Sequence, residues 1–233
     1  MQLTVREVAR MLRVSEKTVY RWVADRGLPA HRVGEQYRFN RAELLEWVIA
    51  NRVNASPDLF AEAEAPGSPL PELAEALAAG GIYYRVEGSD RDSVLRAVAH
   101  TLRLPEGSDP DFLVEVLRAR ELLGSTAVGD GVAIPHPRHP LVLHVVRPSI
   151  ALCFLEAPIE YGALDGKPVS TLFIILSPTV RAHLHLLSRL AFALHQPAFR
   201  AVVTKQAARQ EILRAAQQVD ELARASQVRE AAR

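Results

Sequence analysis

At 233 residues and 25.7 kDa, the chain has room for one large domain or two ordinary ones, each with a proper core. Hydrophobic residues at 48%, charged residues at 24% and a net charge of +1 exclude wholesale disorder. No apolar run reaches the roughly 18 residues of a membrane helix, no charged-then-apolar leader opens the chain, and the lone Cys153 excludes a disulfide framework, so a cytoplasmic protein is expected.

The charge is unevenly spread. Residues 1–53 hold ten Lys/Arg against six Asp/Glu, a net +4, which leaves −3 for the remainder. A small basic piece on a larger acidic one suggests a head that faces a polyanion. Within it, Val5, Val8, Ala9 and Leu12 recur at helical spacing behind Thr4, a capping residue. Ser15 can cap a second helix, Glu16–Asp25. There Val19, Trp22 and Val23 point one way, and Lys17, Tyr20, Arg21 and Ala24 almost the opposite way. Two short helices with a tight turn, the second exposing Lys, Tyr and Arg, suit a helix-turn-helix whose outer face lies in the DNA major groove. Gly27-Leu28-Pro29 stops the helix, and residues 31–39 alternate around Gly34 as a hairpin would. Asn40 can cap a third helix, Arg41–Ala50, whose Leu44, Leu45, Val48 and Ile49 close a small core.

Pro57, Pro66, Pro69 and Pro71 mark a linker at 54–69, with a helical turn around 59–65. Beyond it, residues 90–102 behind a Ser89 cap and 111–123 behind Pro110 read as helices. Residues 150–155 and Val169–Leu176 are apolar runs bounded by Pro and Gly and read as buried strands. Residues 179–194 and 209–225 read as helices, so the body is an α/β layered domain. The last helix carries Ile212, Leu213, Ala216, Val219 and Leu222, a spacing that suits packing on its own sheet better than a dimer interface.

Five histidines, His136, His139, His144, His183 and His185, fall within fifty residues. His31, His100 and His195 read as surface or satisfied side chains. His136 lies in Gly129-Asp130-Gly131-Val132-Ala133-Ile134-Pro135-His136-Pro137-Arg138, where glycines and prolines fix an irregular turn that presents an imidazole at a strand end. His183 and His185 are two apart near a helix start and point to different faces, so only one is expected to share a site with His136. A helix start also favours a bound anion. His136, His139 and His183 lack the carboxylate-rich or HExxH helix of a zinc site, so no metal is expected.

Two resemblances follow from these residues. Thr4-Val5-Arg6-Glu7-Val8-Ala9, Val14-Ser15-Glu16-Lys17-Thr18-Val19-Tyr20-Arg21-Trp22, Gly27-Leu28-Pro29-Ala30 and Tyr37-Arg38-Phe39 resemble the excisionase and MerR-type winged helix-turn-helix family, nearly end to end. That likeness implies DNA binding through Thr18, Tyr20 and Arg21 on the recognition helix and Arg38 on the wing. Lys17 and Arg21 can neutralise phosphates, and Arg21 can alternatively read guanine edges. Glu35 departs from the basic residue that relatives often carry in the wing. The alternative is a helix-turn-helix turned protein-interaction module.

Residues 70 to about 216 look like the enzyme IIA domain of the fructose/mannitol type in the phosphoenolpyruvate:sugar phosphotransferase system (PTS), a group that includes the nitrogen-regulatory, PtsN-like IIA proteins. The carrying residues are Arg118-Ala119-Arg120-Glu121-Leu122-Leu123-Gly124-Ser125-Thr126, Gly131-Val132-Ala133-Ile134-Pro135-His136, Asp165-Gly166-Lys167-Pro168-Val169 and His183-Leu184-His185-Leu186-Leu187-Ser188-Arg189-Leu190-Ala191. Ala127-Val128 stands where relatives often have Gly-Ile. This likeness implies a phosphorylated His136, a supporting His183 and a site arginine, Arg120. It also implies no cofactor, because phosphohistidine passes between imidazoles with little change in bond energy. Cys153, within an apolar strand, reads as an inert thiol and not as the phosphocysteine of a IIB partner.

The expected architecture is a small α+β winged helix-turn-helix at 1–53, a linker at 54–69, an α/β three-layer IIA type-2 domain with a mixed sheet at 70–225, and a tail at 226–233. The expected function is a homodimeric, DNA-binding transcriptional regulator. Its His136 takes phosphate from phospho-HPr or an NPr-like carrier, near a surface that other domains or partners touch. The rival reading is a phosphocarrier relaying phosphate to a sugar-specific IIB, and a third is an unphosphorylated interaction module.

Overall fold

The computed structural model describes residues 2–33, 36–51, 53, 55, 56, 59, 70–104, 108–137, 145 and 147–231. It divides into two compact units, Met1–Gly67 and Ser68–Arg233. Most of the stretch expected as linker, including the turn at 60–65, lies outside the described residues, as do Gly34 and Glu35 of the wing turn.

The first unit runs β1 (Gln2–Thr4), α1 (Val5–Met11), α2 (Glu16–Asp25), β2 (His31–Val33), β3 (Gln36–Asn40) and α3 (Arg41–Ala50). β3 is the middle strand of an antiparallel sheet of order β1-β3-β2. Thr4 caps α1 in a reciprocal box with Glu7, whose carboxylate accepts the Thr4 N–H at 2.8 Å. The same bonds hold the Glu7 carboxyl below its ordinary range. At the far end Arg13 takes φ +54°, and the N–H groups of Arg13 and Val14 reach back to Arg10 O and Ala9 O. That is a Schellman stop with an arginine where glycine is usual. Ser15 then caps α2 through Thr18 N. Leu3, Val8, Leu12, Val19, Phe39, Leu44 and Leu45 are buried.

The second unit runs α4 (Leu73–Gly80), β4 (Ile82–Val86), α5 (Arg91–Thr101), α6 (Pro110–Glu121), β5 (Ala127–Gly129), β6 (Val132–Ala133), β7 (Ser149–Ile159), β8 (Val169–Leu176), α7 (Val180–His195), α8 (Pro197–Thr204) and α9 (Arg209–Ala231). The sheet order is β4-β7-β8-β6-β5. Pairs β4/β7 and β6/β8 are parallel, whereas β7/β8 and β5/β6 are antiparallel, which makes the sheet mixed as expected. Alternate residues of β7 and β8 supply two buried faces. Ala151, Cys153, Leu172 and Ile174 join Val94, Val98, Leu113 and Leu117 of α5 and α6 in one cluster. Ile150, Leu152, Phe154, Phe173 and Ile175 are equally buried, and α4 and α7 pack against those strands. Helices on both faces explain why the strands read as unbroken apolar runs.

Several boundaries differ from the sequence reading. Asp90, not Ser89, caps α5, because its carboxylate accepts Ser93 N at 2.9 Å. Asp109 caps α6 with Pro110 in the first turn, and α6 stops at Glu121, leaving Leu122 and Leu123 exposed. The last helix continues to Ala231; it packs mainly on α4 and α8, and its first residue, Arg209, donates to Ile82 O of β4 at 3.0 Å. The sequence pattern shows no strand at β1, β4 or β5 and no helix at α4 or α8, whereas β6 is the strand end expected ahead of His136. Among the described residues no helix is long and apolar enough to cross a membrane.

Candidate functional site

The parallel pairing of β6 with β8 sets Val132 opposite Thr171 and Ala133 opposite Leu172. Beyond β6 the pairing persists, as Ile175 N donates to Pro135 O at 3.1 Å. Two chain segments therefore leave the same end of the sheet side by side. One turns through Ile134-Pro135-His136-Pro137. The other passes Ser177-Pro178 and enters α7, which Thr179 caps through Ala182 N at 3.1 Å. One turn into α7, His183 comes back to the sheet end, and its ring centroid lies 4.9 Å from that of His136.

The two rings are thus brought together as the resemblance implied. His185 is not part of the pair: its Nε2 is 2.9 Å from Pro71 O, which only a ring N–H can satisfy. Burial, with help from the Arg189 and Arg181 charges, pushes its pKa below the ordinary 6.5. His139 and His144 lie outside the described residues.

His136 has a fixed tautomer. Its Nδ1 is 2.7 Å from Ile134 O, and since a carbonyl only accepts, Nδ1 carries the hydrogen. In a neutral imidazole the lone pair then sits on Nε2. His136 is 2% exposed and His183 3% exposed. Ile134, Pro135 and Pro137 are buried with them.

Arg120 lies in the last turn of α6, half-buried, with one guanidinium N–H donating to Gly124 O at 3.0 Å. It is therefore tied to the turn that leads into Thr126, whose carbonyl accepts Ile134 N at 3.0 Å. Beside it stands a residue that sequence reasoning missed. The Glu121 carboxylate, 2% exposed, accepts Thr126 N at 3.1 Å, the Thr126 hydroxyl, and the Tyr161 hydroxyl at 3.4 Å. An acid at the end of an amphipathic helix reads as solvated; the Thr five residues on, across a Gly-Ser turn, was the one available signal. The Asp165-Gly166-Lys167 motif serves elsewhere: Asp165 accepts Asp130 N at 2.8 Å and Lys167 Nζ donates to Asp130 at 2.9 Å, bracing the β5–β6 turn. Cys153 is buried, and desolvation pushes its thiol up to about 12, the reverse of a nucleophilic cysteine.

In the first unit, Lys17, Tyr20 and Arg21 are exposed on α2 while Val19 is fully buried. The Tyr20 ring lies 5.9 Å from Tyr37 on β3, which links the helix to the hairpin. Thr18 is half-buried, with its hydroxyl 2.9 Å from that of Ser15. Arg38 sits on the middle strand, half-buried, and donates to Gln36 Oε1 at 2.8 Å and Tyr37 O at 3.3 Å.

Comparison with known proteins settles what this architecture is. Residues 76–219 match the family "Phosphoenolpyruvate-dependent sugar phosphotransferase system, EIIA 2". The chain belongs to that family. Ahead of the EIIA 2 body, residues 3–52 match a helix-turn-helix domain. A nitrogen regulatory protein of Pseudomonas aeruginosa is 39% identical over 123 residues, which is 51% of this chain and 77% of that protein. A protein of the same name from Escherichia coli K12 is 39% identical over 95 residues, 40% of this chain and 55% of that one. Among solved structures, nitrogen regulatory protein IIA-Ntr from Neisseria meningitidis aligns with a TM-score of 0.51 and 32% identity, covering 63% of this chain and 95% of that one. A putative PTS IIA domain from Streptococcus pyogenes, at 18% identity and a TM-score of 0.50, shares the fold.

Proposed function

We propose that this chain is a cytoplasmic DNA-binding regulator whose EIIA 2 body accepts a phosphoryl group on Nε2 of His136 from a phospho-HPr or NPr-like carrier. The observation that carries the reading is the 4.9 Å pairing of His136 with His183, in a chain that also exposes Lys17, Tyr20 and Arg21 on a helix-turn-helix. The relatives' name, nitrogen regulatory protein, favours regulation over sugar transport.

The transfer is a displacement between two ring nitrogens. Nε2 of His136 forms the new N–P bond as the donor's N–P bond breaks; the donor ring recovers its lone pair, and each ring keeps the hydrogen on its other nitrogen. Little bond energy changes, so alignment and stabilisation of the three equatorial oxygens decide the rate. In this reading His183 supplies a hydrogen-bond donor and Arg120 a planar guanidinium for those oxygens. The added charge of about −1.5 to −2 then acts on DNA affinity.

For DNA, Lys17 and Arg21 meet phosphates or guanine edges and Tyr20 lies on the same face. Thr18 serves mainly as the partner of the Ser15 cap, and Arg38 reaches DNA by giving up its Gln36 bond. One small module reads one half-site, so a homodimer is expected.

The test is incubation with enzyme I, HPr and phosphoenolpyruvate, followed by genome-wide DNA capture with wild type and His136→Ala. The reading requires an acid-labile, alkali-stable phosphate that disappears in His136→Ala, and a changed set or strength of captured sites. Onward flow of that phosphate to a IIB, with no DNA captured, establishes the carrier reading instead.

A further inference from the structure

A carboxylate buried to the degree of Glu121 is an expensive way to fill space. An apolar side chain of equal volume is usually as stable or more so, and burial raises this carboxyl above its ordinary 4.5. What the carboxylate does is gather one turn. Both of its oxygens bind Thr126, through the backbone N–H and the hydroxyl, while Tyr161 OH and Arg91 (3.9 Å) close around it.

Thr126 is the first of three linked contacts. Its carbonyl accepts Ile134 N at 3.0 Å, and the carbonyl of Ile134 accepts Nδ1 of His136 at 2.7 Å. Between those points lies Pro135, whose ring fixes φ and whose carbonyl is held by Ile175 N at 3.1 Å. The Ile134–Pro135 peptide is therefore pinned at both ends, on β8 by Ile175 and on the α6–β5 turn by Thr126. The second pin is only as firm as the turn that Glu121 holds.

We propose that Glu121 is a positioning residue for phosphoryl transfer: through Thr126 and the Ile134 carbonyl it holds His136 in the Nδ1–H tautomer with Nε2 as the nucleophile. This rests on the reading of His136 as the phosphoryl acceptor. Glu121 touches neither reacting nitrogen. Its effect is transmitted as carbonyl direction, so it acts on the protonation site of the imidazole before any donor binds.

The experiment uses the full chain with ¹⁵N-labelled histidine, and reads the His136 tautomer from long-range ¹⁵N–¹H correlations in unphosphorylated protein. Glu121→Met keeps length and apolar bulk but leaves Thr126 without its acceptor. Glu121→Gln can accept the Thr126 N–H and donate to its hydroxyl. The wild type is expected to be almost wholly Nδ1–H, with Gln within about twofold of its phosphorylation rate at saturating donor. Met is expected to show a mixture of tautomers and a rate lower by about tenfold, with the donor KM little changed. Should the Met variant not fold, Thr126→Val, which deletes only the hydroxyl bond, is expected to shift the tautomer in the same direction by less. An unchanged tautomer in a folded Met or Val variant, or equal losses in Gln and Met, overturns the role of Glu121. A wild type that shows the Nδ1–H tautomer yet takes up no phosphate overturns the acceptor reading, and with it the catalytic purpose of the positioning. The two failures are read from different signals.

Discussion

The carboxylate of Asp220 on α9 reaches the first turn of α4, 3.0 Å from the backbone nitrogens of both Leu73 and Ala74, which stand 147 and 146 residues earlier in the chain. A negative group on two orphan N–H groups at a helix start is both a cap and a dipole partner. Asp220 is 1% exposed, so its loss leaves those donors buried without an acceptor. Asp220→Ala is expected to lower the stability of the EIIA 2 body by about 2–3 kcal/mol, and Asp220→Asn by less. Urea unfolding followed by circular dichroism checks this, and a change under about 0.5 kcal/mol counts against it.

Arg13 ends α1 in the left-handed region at φ +54°, with its side chain exposed. A non-glycine residue there costs about 1–2 kcal/mol, against roughly 0.5–1 kcal/mol of extra unfolded-state freedom for glycine. Arg13→Gly is expected to stabilise the first unit by about 0.5–1 kcal/mol, seen as a higher Tm. A lower Tm would show that the Arg13 side chain makes a stabilising contact that outweighs its backbone.

His185 gives the second unit an acid sensitivity. Its folded pKa lies below the ordinary 6.5, so as pH falls through 6.5 the unfolded chain takes up a proton that the folded chain refuses. Stability from this group is therefore full above about 6.5 and declines below it. His185→Gln, which can still donate to Pro71 O, is expected to flatten the stability profile between about pH 6.5 and 5. An equally steep decline in the variant would assign the effect to other groups.

Cys153 faces an apolar cluster on β7 and is fully buried. Cys153→Ser places a hydroxyl there without a partner and is expected to cost about 1–3 kcal/mol. Phosphate uptake on His136 is expected to survive. Thiol titration with an aromatic disulfide should be slow in native protein and fast in denaturant; rapid native reaction would contradict the buried position.

The winged module was largely legible because local chemistry decides it. Thr4 and Ser15 are capping residues ahead of short amphipathic runs, and their caps close within three residues. β8 and α7 were legible for the same reason, being long and strongly patterned. The missed strands β1 and β5, at three residues each, are too short to show a period. β4 hid because Tyr84 and Arg85 are both exposed, which breaks the alternation. The His136–His183 pairing came from resemblance, since nothing local in either segment predicts that β6 and β8 run side by side. Glu121 was unreadable because its partners, Thr126 and Tyr161, are brought to it only by the folded turn.

The neighbouring exits of β6 and β8 have a consequence for chain length. One residue added between Thr179 and His183 would carry that imidazole about 100° round the α7 axis, away from its counterpart. One residue lost from Ile134-Pro135 would drop His136 into the slot whose carbonyl meets Ile175 N. Insertions and deletions are therefore intolerable in these two short connectors, while the surface loops of the same domain are free to lengthen. The two counts, from strand to first ring and from helix cap to second ring, form a ruler: any descendant of this chain that keeps the two rings paired has to keep both.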